Sequence, residues 1–299
     1  MSLRSLRVAR PFAALLLLAL CLPSLAAIVV RDDTGRAVRL EAPARRIVSL
    51  APHITELLFD IDAGDAIVAA TEYSDYPEAA KRLPSVGGLG GIALERIVAL
   101  KPDLVIAWQS GTAQAQLDAL VRLRIPVFRS EPHTLTDVAT TLERLGTLTG
   151  HAREASAKAY DFRHKVAALR ATYASRAPVR VFHQVWNNPL MTIGGPHLIT
   201  SVIELCGGRN VFASVGMLAP TIDAEAVIAA DPQLIVTALE NGDRRNDVAQ
   251  WSRWTSVSAV RHHRYLFLDP AVITRHTPRI LIGAETLCRA IDAARADST

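Results

Sequence analysis

Residues 95–106 read Glu-Arg-Ile-Val-Ala-Leu-Lys-Pro-Asp-Leu-Val-Ile, and residues 225–236 read Glu-Ala-Val-Ile-Ala-Ala-Asp-Pro-Gln-Leu-Ile-Val. In each stretch a glutamate opens a helical run that ends at a proline, and the short apolar run after it predicts a buried strand. The glutamate and the proline both recur 130 positions later. Chance similarity between two ordinary helix–turn–strand units is the alternative. We interpret the pattern as an internal repeat of one structural unit.

The same alternation of strands and helices extends on both sides of each copy. Residues 29–40 predict a β-hairpin, strands alternate with helices over residues 46–148, and the alternation resumes at residue 179. Strands that alternate with helices predict parallel sheets covered by helices. Residues 151–174 contain no Gly or Pro and are rich in helix-forming residues, which predicts one long helix. The chain is therefore predicted to be an α/β protein with two Rossmann-like lobes, each with a parallel sheet, joined by a single long helix.

The predicted organisation has four parts. Residues 1–27 combine three arginines, a short apolar run and a small-residue end, which is typical of a secretory signal peptide. A membrane anchor is the alternative, but the apolar run is shorter than the roughly 20 residues that span a bilayer. We assign the N-terminal lobe to residues 28–148, the linking helix to 149–176 and the C-terminal lobe to 177–299. Cleavage of the signal would place the mature protein outside the cytoplasm.

Composition excludes some classes of function. The chain has 299 residues, of which 50% are hydrophobic and 21% charged, enough for a globular core and too apolar for disorder. Loss of Arg4, Arg7 and Arg10 with the signal lowers the formal net charge from +4 to +1, because no acidic residue precedes Asp32. A chain this close to neutral is not expected to bind nucleic acid through bulk positive charge. We expect a monomer without a nucleic-acid partner.

Two cysteines, Cys206 and Cys288, remain once the signal segment with Cys21 is removed. An even pair in an oxidising compartment favours a disulfide. Two buried free thiols are the alternative.

The sequence contains few motifs of catalysis. It has no Gly-x-Ser-x-Gly elbow and no Walker loop, and the glycines of residues 87–91 fit neither nucleotide-binding spacing. The nine histidines show no metal-ligand spacing, so we predict no catalytic residues and no metal site. Two lobes that face each other form a cleft, which is a common place for a small ligand. An exported ligand carrier is the main prediction. An exported enzyme, or a sensor that uses the lobes for protein contacts, remains an alternative.

Five motifs stand out along the chain. They are Arg46-Ile-Val-Ser-Leu-Ala-Pro52 with Thr55-Glu56, Tyr73-Ser-Asp-Tyr-Pro77, residues 94–108, Glu204-Leu-Cys-Gly-Gly-Arg-Asn210, and Pro278-Arg-Ile280 with Leu287-Cys288. Together these motifs resemble the periplasmic binding proteins of ABC importers for cobalamin, iron-siderophore and haem, over residues 28–295. The similarity is greatest to the cobalamin-binding members.

The resemblance implies partners and a covalent link. It implies that Cys206 and Cys288 form a disulfide, since both fall where the cobalamin-binding members have their pair. It also implies that Glu95 and Glu225 lie on the outer faces of the two lobes and dock to arginines of a permease dimer, which works with ATPase subunits. The alternative for each glutamate is an ordinary residue favoured by the dipole at a helix N-terminus.

The ligand-binding candidates come partly from the resemblance and partly from position. Tyr73 matches the family tyrosine that packs on the corrin ring, and Arg275 matches an arginine of the second lobe's binding loop. Trp108 ends a predicted strand of the first lobe, and Trp186 follows the first strand of the second, so the two indoles are expected to face each other across the cleft. Core packing is the alternative for any single tryptophan.

Some positions depart from the cobalamin-binding pattern. Residues without aromatic rings stand where those members have cleft aromatics, namely Leu89, Met191, Ala219, Val272 and Ile273. Met191, His183 and Tyr73 are candidates for axial ligands of a metal macrocycle, with a purely structural role as the alternative for His183.

The sequence therefore predicts a non-enzymatic carrier with no cofactor of its own, which captures cobalamin or a related corrinoid and delivers it to the permease. An iron-siderophore or haem carrier of the same transporter class is the alternative. A ferric siderophore would favour Arg129, Arg275 and Arg279 as groups that hold its negative charge.

Overall fold

The computed structural model describes residues 27–88, 90–238 and 248–296. Apart from Ala27, the predicted signal peptide lies outside the described residues, and so does Leu89.

The first lobe is built on a four-stranded parallel sheet. The chain enters through an antiparallel hairpin, as its sequence predicts, with strands β1 (Ile28–Arg31) and β2 (Ala37–Leu40). The sheet has the order β4-β3-β7-β8, and its strands are β3 (Ile47–Ser49), β4 (Ile67–Ala70), β7 (Leu104–Trp108) and β8 (Val127–Ser130). A short antiparallel pair, β5 (Gly87–Gly88) and β6 (Gly91–Ile92), lies outside it. The helices of this lobe are α1 (Pro52–Asp60), α2 (Leu94–Ala99), α3 (Gln114–Arg122) and α4 (Leu135–Thr149).

One long helix, α5 (Ala152–Tyr173), connects the lobes and coincides with the helix predicted over residues 151–174. Helix α4 ends because Gly150 adopts a left-handed conformation with φ of 79°, which glycine enters without steric cost. The chain then turns back, and α5 packs closely on α4. A Cβ added at Gly146 would lie 2.3 Å from the Cβ of Ala155, so this approach requires glycine.

The second lobe repeats the design with one difference. Its sheet has the order β10-β9-β12-β13, and β11 extends it beside β9. The strands are β9 (Val179–Asn187), β10 (Leu190–Thr192), β11 (Gly208–Asn210), β12 (Leu234–Ala238) and β13 (Tyr265–Leu268). All pairs are parallel except β9 with β10. The sequence does not predict this antiparallel edge. Only two residues separate β9 from β10, which is too short for the crossover that a parallel pair needs.

The internal repeat is present as two equivalent units. The described helices of the second lobe are α6 (Leu198–Leu205), α7 (Ala224–Ala230), α8 (Ser258–Arg261), α9 (Pro270–Ile273) and α10 (Ile280–Ala296). Helix α2 leads into β7 in the first lobe, and α7 leads into β12 in the second. In both units one helical residue, Ile97 or Val227, is fully buried against the sheet while the opening glutamate is exposed.

A continuous apolar core runs through both lobes and the connecting helix. It includes Ile47 and Leu142 of the first lobe, Phe162 of α5, and Val181 and Leu287 of the second lobe, all nearly or fully buried. Because the core is not divided at the lobe boundary, the cleft between the lobes is held largely pre-formed.

The predicted disulfide is confirmed. Cys206, which follows α6, is bonded to Cys288 in α10, and both are fully buried, so the alternative of two free thiols is excluded. Across the described ranges, no helix is both long enough and apolar enough to cross a bilayer.

Candidate ligand-binding site

A cavity of about 990 Å³ lies between the two lobes, at the upper end of the size range of small-molecule sites. Ligands of open α/β sheets bind at the carboxyl ends of the strands. Trp108 is the last residue of β7 and Ala238 is the last of β12, so this cavity meets the strand ends of both sheets. From the first lobe it is lined by Trp108, Ser110, Glu131 and Pro132. From the second it is lined by His183, Gln184, Val185, Trp186, Asn187, Asn188, Ile193, His197, Leu198, Ile199, Leu218, Ala219, Thr237, Ala238, Pro270, Thr274 and His276.

The indole of Trp108 is held in one orientation by its neighbours. Its Nε1–H donates to Oε1 of Glu131 over 3.1 Å. The rings of His53 and His276 pack edge-on against it, with centroids 5.6 and 5.9 Å away. A Cβ at Gly111 would lie only 1.9 Å from the indole, so glycine is what lets the ring lie over this turn. The first lobe therefore presents a fixed aromatic ring to the cavity.

Trp186 presents a second indole from the opposite lobe. It lies near the end of β9, opposite Met191 of β10, and 61% of its surface is exposed. Its Nε1–H donates to the backbone carbonyl of Asn188 over 3.0 Å, which ties the ring to the hairpin turn. A large aromatic ring left this exposed beside a cavity is typical of a binding surface. Both tryptophans predicted for the site therefore line it.

Histidines from both lobes are held neutral around the cavity floor. Burial lowers the pKa of His53 and of His183 to about 3, and that of His197 to about 4. Burial also lowers the pKa of His276 well below its usual value. The charge of Arg275 lowers the pKa of His53 further, and repulsion between neighbouring imidazolium rings opposes protonation of His183, His197 and His276. At neutral pH these rings are uncharged.

The tautomer of His197 follows from a backbone contact. Its Nδ1 accepts a hydrogen bond from the N–H of Ile199 over 3.1 Å, which caps the start of α6. A neutral ring that accepts at Nδ1 carries its proton on Nε2. His197 is therefore a donor at its second nitrogen.

A network of amides forms the wall of the second lobe. Oε1 of Gln184 accepts from the buried indole N–H of Trp251 over 2.7 Å and from Nε2 of Gln250 over 3.2 Å. Nε2 of Gln184 in turn donates to Oδ1 of Asn187. Trp251 belongs to the core of the second lobe, but its N–H also orients the amides. These polar groups are set in place before a ligand arrives.

The lobes are joined beside the cavity by a buried carboxylate. Glu56 of α1 has no exposed surface, and its Oε1 accepts from the hydroxyl of Thr277 over 2.5 Å. Its Oε2 lies 3.0 Å from Nη1 of Arg279 and 3.5 Å from Nη1 of Arg275. Both arginines belong to the second lobe, so Glu56 forms a contact between the lobes in which its buried charge is compensated.

The Tyr73–Pro77 motif extends the same contact. Asp75 forms a 2.5 Å ion pair with Arg275, and the guanidinium of Arg279 lies 3.8 Å from the ring centroid of Tyr76. On the other side of the cleft, Nδ1–H of His133 donates to the carbonyl of Pro196 over 2.7 Å. These residues set the angle between the lobes.

Three predicted ligand residues lie away from the cavity wall. Tyr73 is 69% exposed, and its carbonyl lies 3.4 Å from Nη2 of Arg275. Arg275 itself is engaged by Glu56 and Asp75. Met191 is half-buried in β10. None of the three is among the lining residues.

His183 is one of the lining residues, but its ring nitrogens are not exposed to the cavity. Both of its ring nitrogens are buried and lack a hydrogen-bond partner. In this geometry no ring nitrogen of His183 reaches the cavity surface, so the candidate role as an axial ligand has no direct support from its position. Within the described ranges, no group of three or more His, Cys, Asp or Glu side chains is arranged to hold a metal ion.

Not all of the positions at which this chain lacks the family's cleft aromatics line the cavity. Ala219 lines the cavity, which fits a roomier cleft, whereas Val272 and Ile273 of α9 do not. Leu89 falls outside the described residues.

Glu95 and Glu225 are both exposed, each in the first turn of its helix. Neither carboxylate has an ion-pair partner among the described side chains. They are available for contacts with another protein.

Sequence reasoning missed much of the polar wall, including Glu131, Gln184, Asn187, His197 and His276. A usable signal was present for three of them. Glu131 directly follows β8, and Gln184 and Asn187 lie at the end of β9, where the strand-end rule places ligand contacts.

Comparison with known proteins gives a consistent picture. The sequence profile of the family described as "Periplasmic binding protein" matches residues 47–272. The vitamin B12-binding protein of Yersinia pestis (strain Pestoides F) is 39% identical over 246 residues, which cover 82% of this chain and 86% of that protein.

Solved structures agree in fold. The crystal structure of the periplasmic vitamin B12-binding protein BtuF of Vibrio cholerae superposes with a TM-score of 0.77 at 35% identity, covering 85% of this chain and 98% of that one. A periplasmic haem-binding protein from Pseudomonas aeruginosa superposes with a TM-score of 0.72 at 26% identity, covering 83% and 92%. The predicted two-lobe α/β architecture and the resemblance to this family are both confirmed.

Proposed function

This chain belongs to the periplasmic binding protein family, and from that premise we propose that it captures cobalamin or a related corrinoid between its lobes. It then delivers the ligand, unreacted, to the permease dimer of an ABC importer with its ATPase subunits. The observation that carries the proposal is the interlobe cavity of about 990 Å³ with one indole from each lobe, Trp108 and Trp186. Flat apolar rings suit the face of a planar macrocycle.

The polar wall supports the same reading. A corrin ring carries carboxamide side chains on its edge, and carboxamides both donate and accept hydrogen bonds. Gln184, Asn187 and His197 give the wall beside the indoles the same neutral polar character. The relatives from Yersinia pestis and Vibrio cholerae, which are named as vitamin B12-binding proteins, match most of the chain.

Export to the periplasm is part of the proposal. The family takes its name from that compartment, and residues 1–27 have the composition of a cleaved signal. The disulfide between Cys206 and Cys288 fits an oxidising compartment.

Docking to the permease is assigned to Glu95 and Glu225. Their helices occupy equivalent places in the two lobes, each leading into a buried strand of its sheet. Two equivalent exposed carboxylates match a partner built from two equal subunits, since each can pair with the same arginine of one subunit.

Isothermal titration calorimetry of the mature chain tests the ligand. Cyanocobalamin, haemin and a ferric hydroxamate siderophore are titrated in parallel, and we expect micromolar or tighter binding of cyanocobalamin alone. Tight binding of haemin or the siderophore without cyanocobalamin would keep a transport role and overturn the ligand. Absence of heat with all three would overturn the proposed function.

Two variants link binding to the cavity. Trp186→Ala removes a largely exposed ring and should weaken cyanocobalamin binding about tenfold, which is about 1.4 kcal/mol. Trp108→Ala should weaken it at least as much, because that ring is better held. Tyr160→Ala is the matched control, since Tyr160 is an exposed aromatic on α5 outside the cavity lining. Equal affinity of Trp186→Ala and Tyr160→Ala would show that the ligand binds elsewhere.

A further inference from the structure

The distribution of charge around the cavity is one-sided. Among the described residues that line it there is no Lys or Arg, and Glu131 is the single carboxylate. Arg275 and Arg279, which lie outside the lining, are already engaged by acids, since Arg275 binds Glu56 and Asp75, and Arg279 binds Glu56. Arg129, in the first lobe, faces Asp118 at 3.6 Å. A negative group that entered this cavity would meet no compensating cation among these residues.

Two hydrogen bonds fix the carboxylate of Glu131 in the wall of the cavity. Its Oε1 accepts from the indole N–H of Trp108 over 3.1 Å, and its Oε2 accepts from the backbone N–H of Ser110 over 2.7 Å. The backbone N–H of Glu131 donates a hydrogen bond to Oδ2 of Asp33 over 2.6 Å. The side chain is therefore built into the first lobe and has little freedom to withdraw from a ligand.

The opposite wall supplies only neutral groups. His197 is committed to Nε2–H by its contact with the N–H of Ile199, and burial keeps its ring uncharged at neutral pH. That contact also occupies a backbone N–H at the start of α6, which would otherwise be open to an anion. Gln184 and Asn187 are neutral amides that bond to each other.

We propose that the cavity selects its ligand by charge: the Glu131 carboxylate, in a described lining that holds no Lys or Arg, accepts a macrocycle edged with carboxamides and rejects one edged with carboxylates. The inference deepens the proposed function and rests on it. Corrinoids and haems have flat rings of similar kind, but the corrin edge bears amides whereas haem bears two propionate carboxylates. Glu131 is thereby a specificity-determining residue.

A single-atom change in the ligand tests the inference. Cyanocobalamin and its monocarboxylic acids, in which one peripheral carboxamide is hydrolysed to a carboxylate, are titrated into the mature chain at pH 7.5. The acids should bind at least tenfold more weakly than the amide, because an uncompensated carboxylate is brought toward Glu131. Equal affinity for cyanocobalamin and every acid would overturn the charge selection and leave the proposed function intact.

A variant shows whether Glu131 causes the discrimination. Glu131→Gln keeps the shape and an acceptor for Trp108 but removes the charge, so the ratio of affinities between amide and acid should fall at least threefold. A purely structural role would weaken both ligands equally and leave the ratio unchanged, which would overturn the assignment.

Equal affinity for cyanocobalamin and its acids overturns the charge selection alone, whereas loss of cyanocobalamin binding overturns both proposals. If cyanocobalamin does not bind while haemin binds tightly, both the corrinoid assignment and the charge selection are overturned. If neither binds, the proposed function is overturned and the inference that rests on it falls as well.

Discussion

The Glu56 carboxylate accepts a 2.5 Å hydrogen bond from the hydroxyl of Thr277, a residue 221 positions later in the chain and in the other lobe. Glu56 is fully buried, and its remaining lone pairs face Arg279 and Arg275. A buried carboxylate is tolerated only where cations and donors compensate it. The two lobes are therefore joined by a polar contact that neither lobe could satisfy alone.

Neutralising this carboxylate should destabilise the protein strongly. Glu56→Gln leaves Arg275 and Arg279 without their shared counter-charge, and we expect the free energy of unfolding to fall by about 3 kcal/mol. Urea denaturation followed by circular dichroism measures the change. Glu204→Gln, at an exposed glutamate, is the control and should change stability by less than about 0.5 kcal/mol. A similar small effect for Glu56→Gln would contradict the interlobe role.

Removal of the disulfide should lower the free energy of unfolding, because the unfolded chain is then no longer restricted to a closed loop. The bond joins residues separated by 82 positions, and loop entropy then gives about 4–5 kcal/mol. The double variant Cys206→Ala with Cys288→Ala should lose about this much in urea denaturation. A reducing agent should lower the stability of the original chain to a similar extent and leave the double variant unchanged. An equal effect of the reductant on both proteins would point to a cause other than this bond.

Acid should destabilise the protein through its buried histidines. Burial holds the pKa of His53 and His183 at about 3, against 6.5 in the unfolded chain, so below pH 6.5 the unfolded state binds protons that the folded state does not. Stability is therefore complete above pH 6.5 and falls as the pH drops toward 3, by about 1.4 kcal/mol per pH unit for each such ring. Asp60 opposes this, because burial and Glu56 raise its pKa to about 6. Asp60 is a single group, whereas four histidines have lowered pKa values, so the net effect of acid is to destabilise the protein.

One variant tests how much a single histidine contributes to this acid sensitivity. His183→Leu replaces a ring whose two nitrogens have no partner, so the free energy of unfolding measured between pH 6 and 5 should depend less steeply on pH by about one proton. His164→Leu, at an exposed histidine on α5, is the matched control. An unchanged slope in His183→Leu would mean that this ring does not contribute to acid sensitivity.

The docking glutamates should affect transport and not binding. Glu95→Ala and Glu225→Ala should each reduce corrinoid uptake through the cognate permease in proteoliposomes, and the double variant should reduce it further, because each lobe loses its charged contact. Calorimetric affinity for cyanocobalamin should stay within twofold of the original, since both residues lie outside the cavity lining. Glu285→Ala, at another exposed glutamate, serves as control. Normal uptake by the double variant would disprove the assignment.

Local pattern was sufficient for much of the fold. The repeat around Pro102 and Pro232 appears as two helix–strand units, and helix α5 begins and ends within one residue of its predicted range. The sequence also pointed to Trp108 and Trp186, because each lies at the end of a predicted strand. Such features depend on residues near one another in the chain, where periodicity and turn chemistry act directly.

The rest of the site depended on distant contacts. The pattern that matches Tyr73 and Arg275 to the family led to a ligand-binding prediction, yet the folded chain pairs Arg275 with Asp75 and Glu56 beside the cavity. The neutral state of His197 depends on burial in the folded chain, which no local pattern reveals.

By itself, then, the sequence determined two α/β lobes and a connecting helix and favoured a disulfide, because helical and strand periodicity and the count of cysteines are properties of the chain alone. Only the tertiary structure decided which side chains meet between the lobes. Burial and charge compensation, as between Glu56 and Thr277 or between Glu131 and Trp108, exist only once strand ends far apart in sequence have been brought to one cavity.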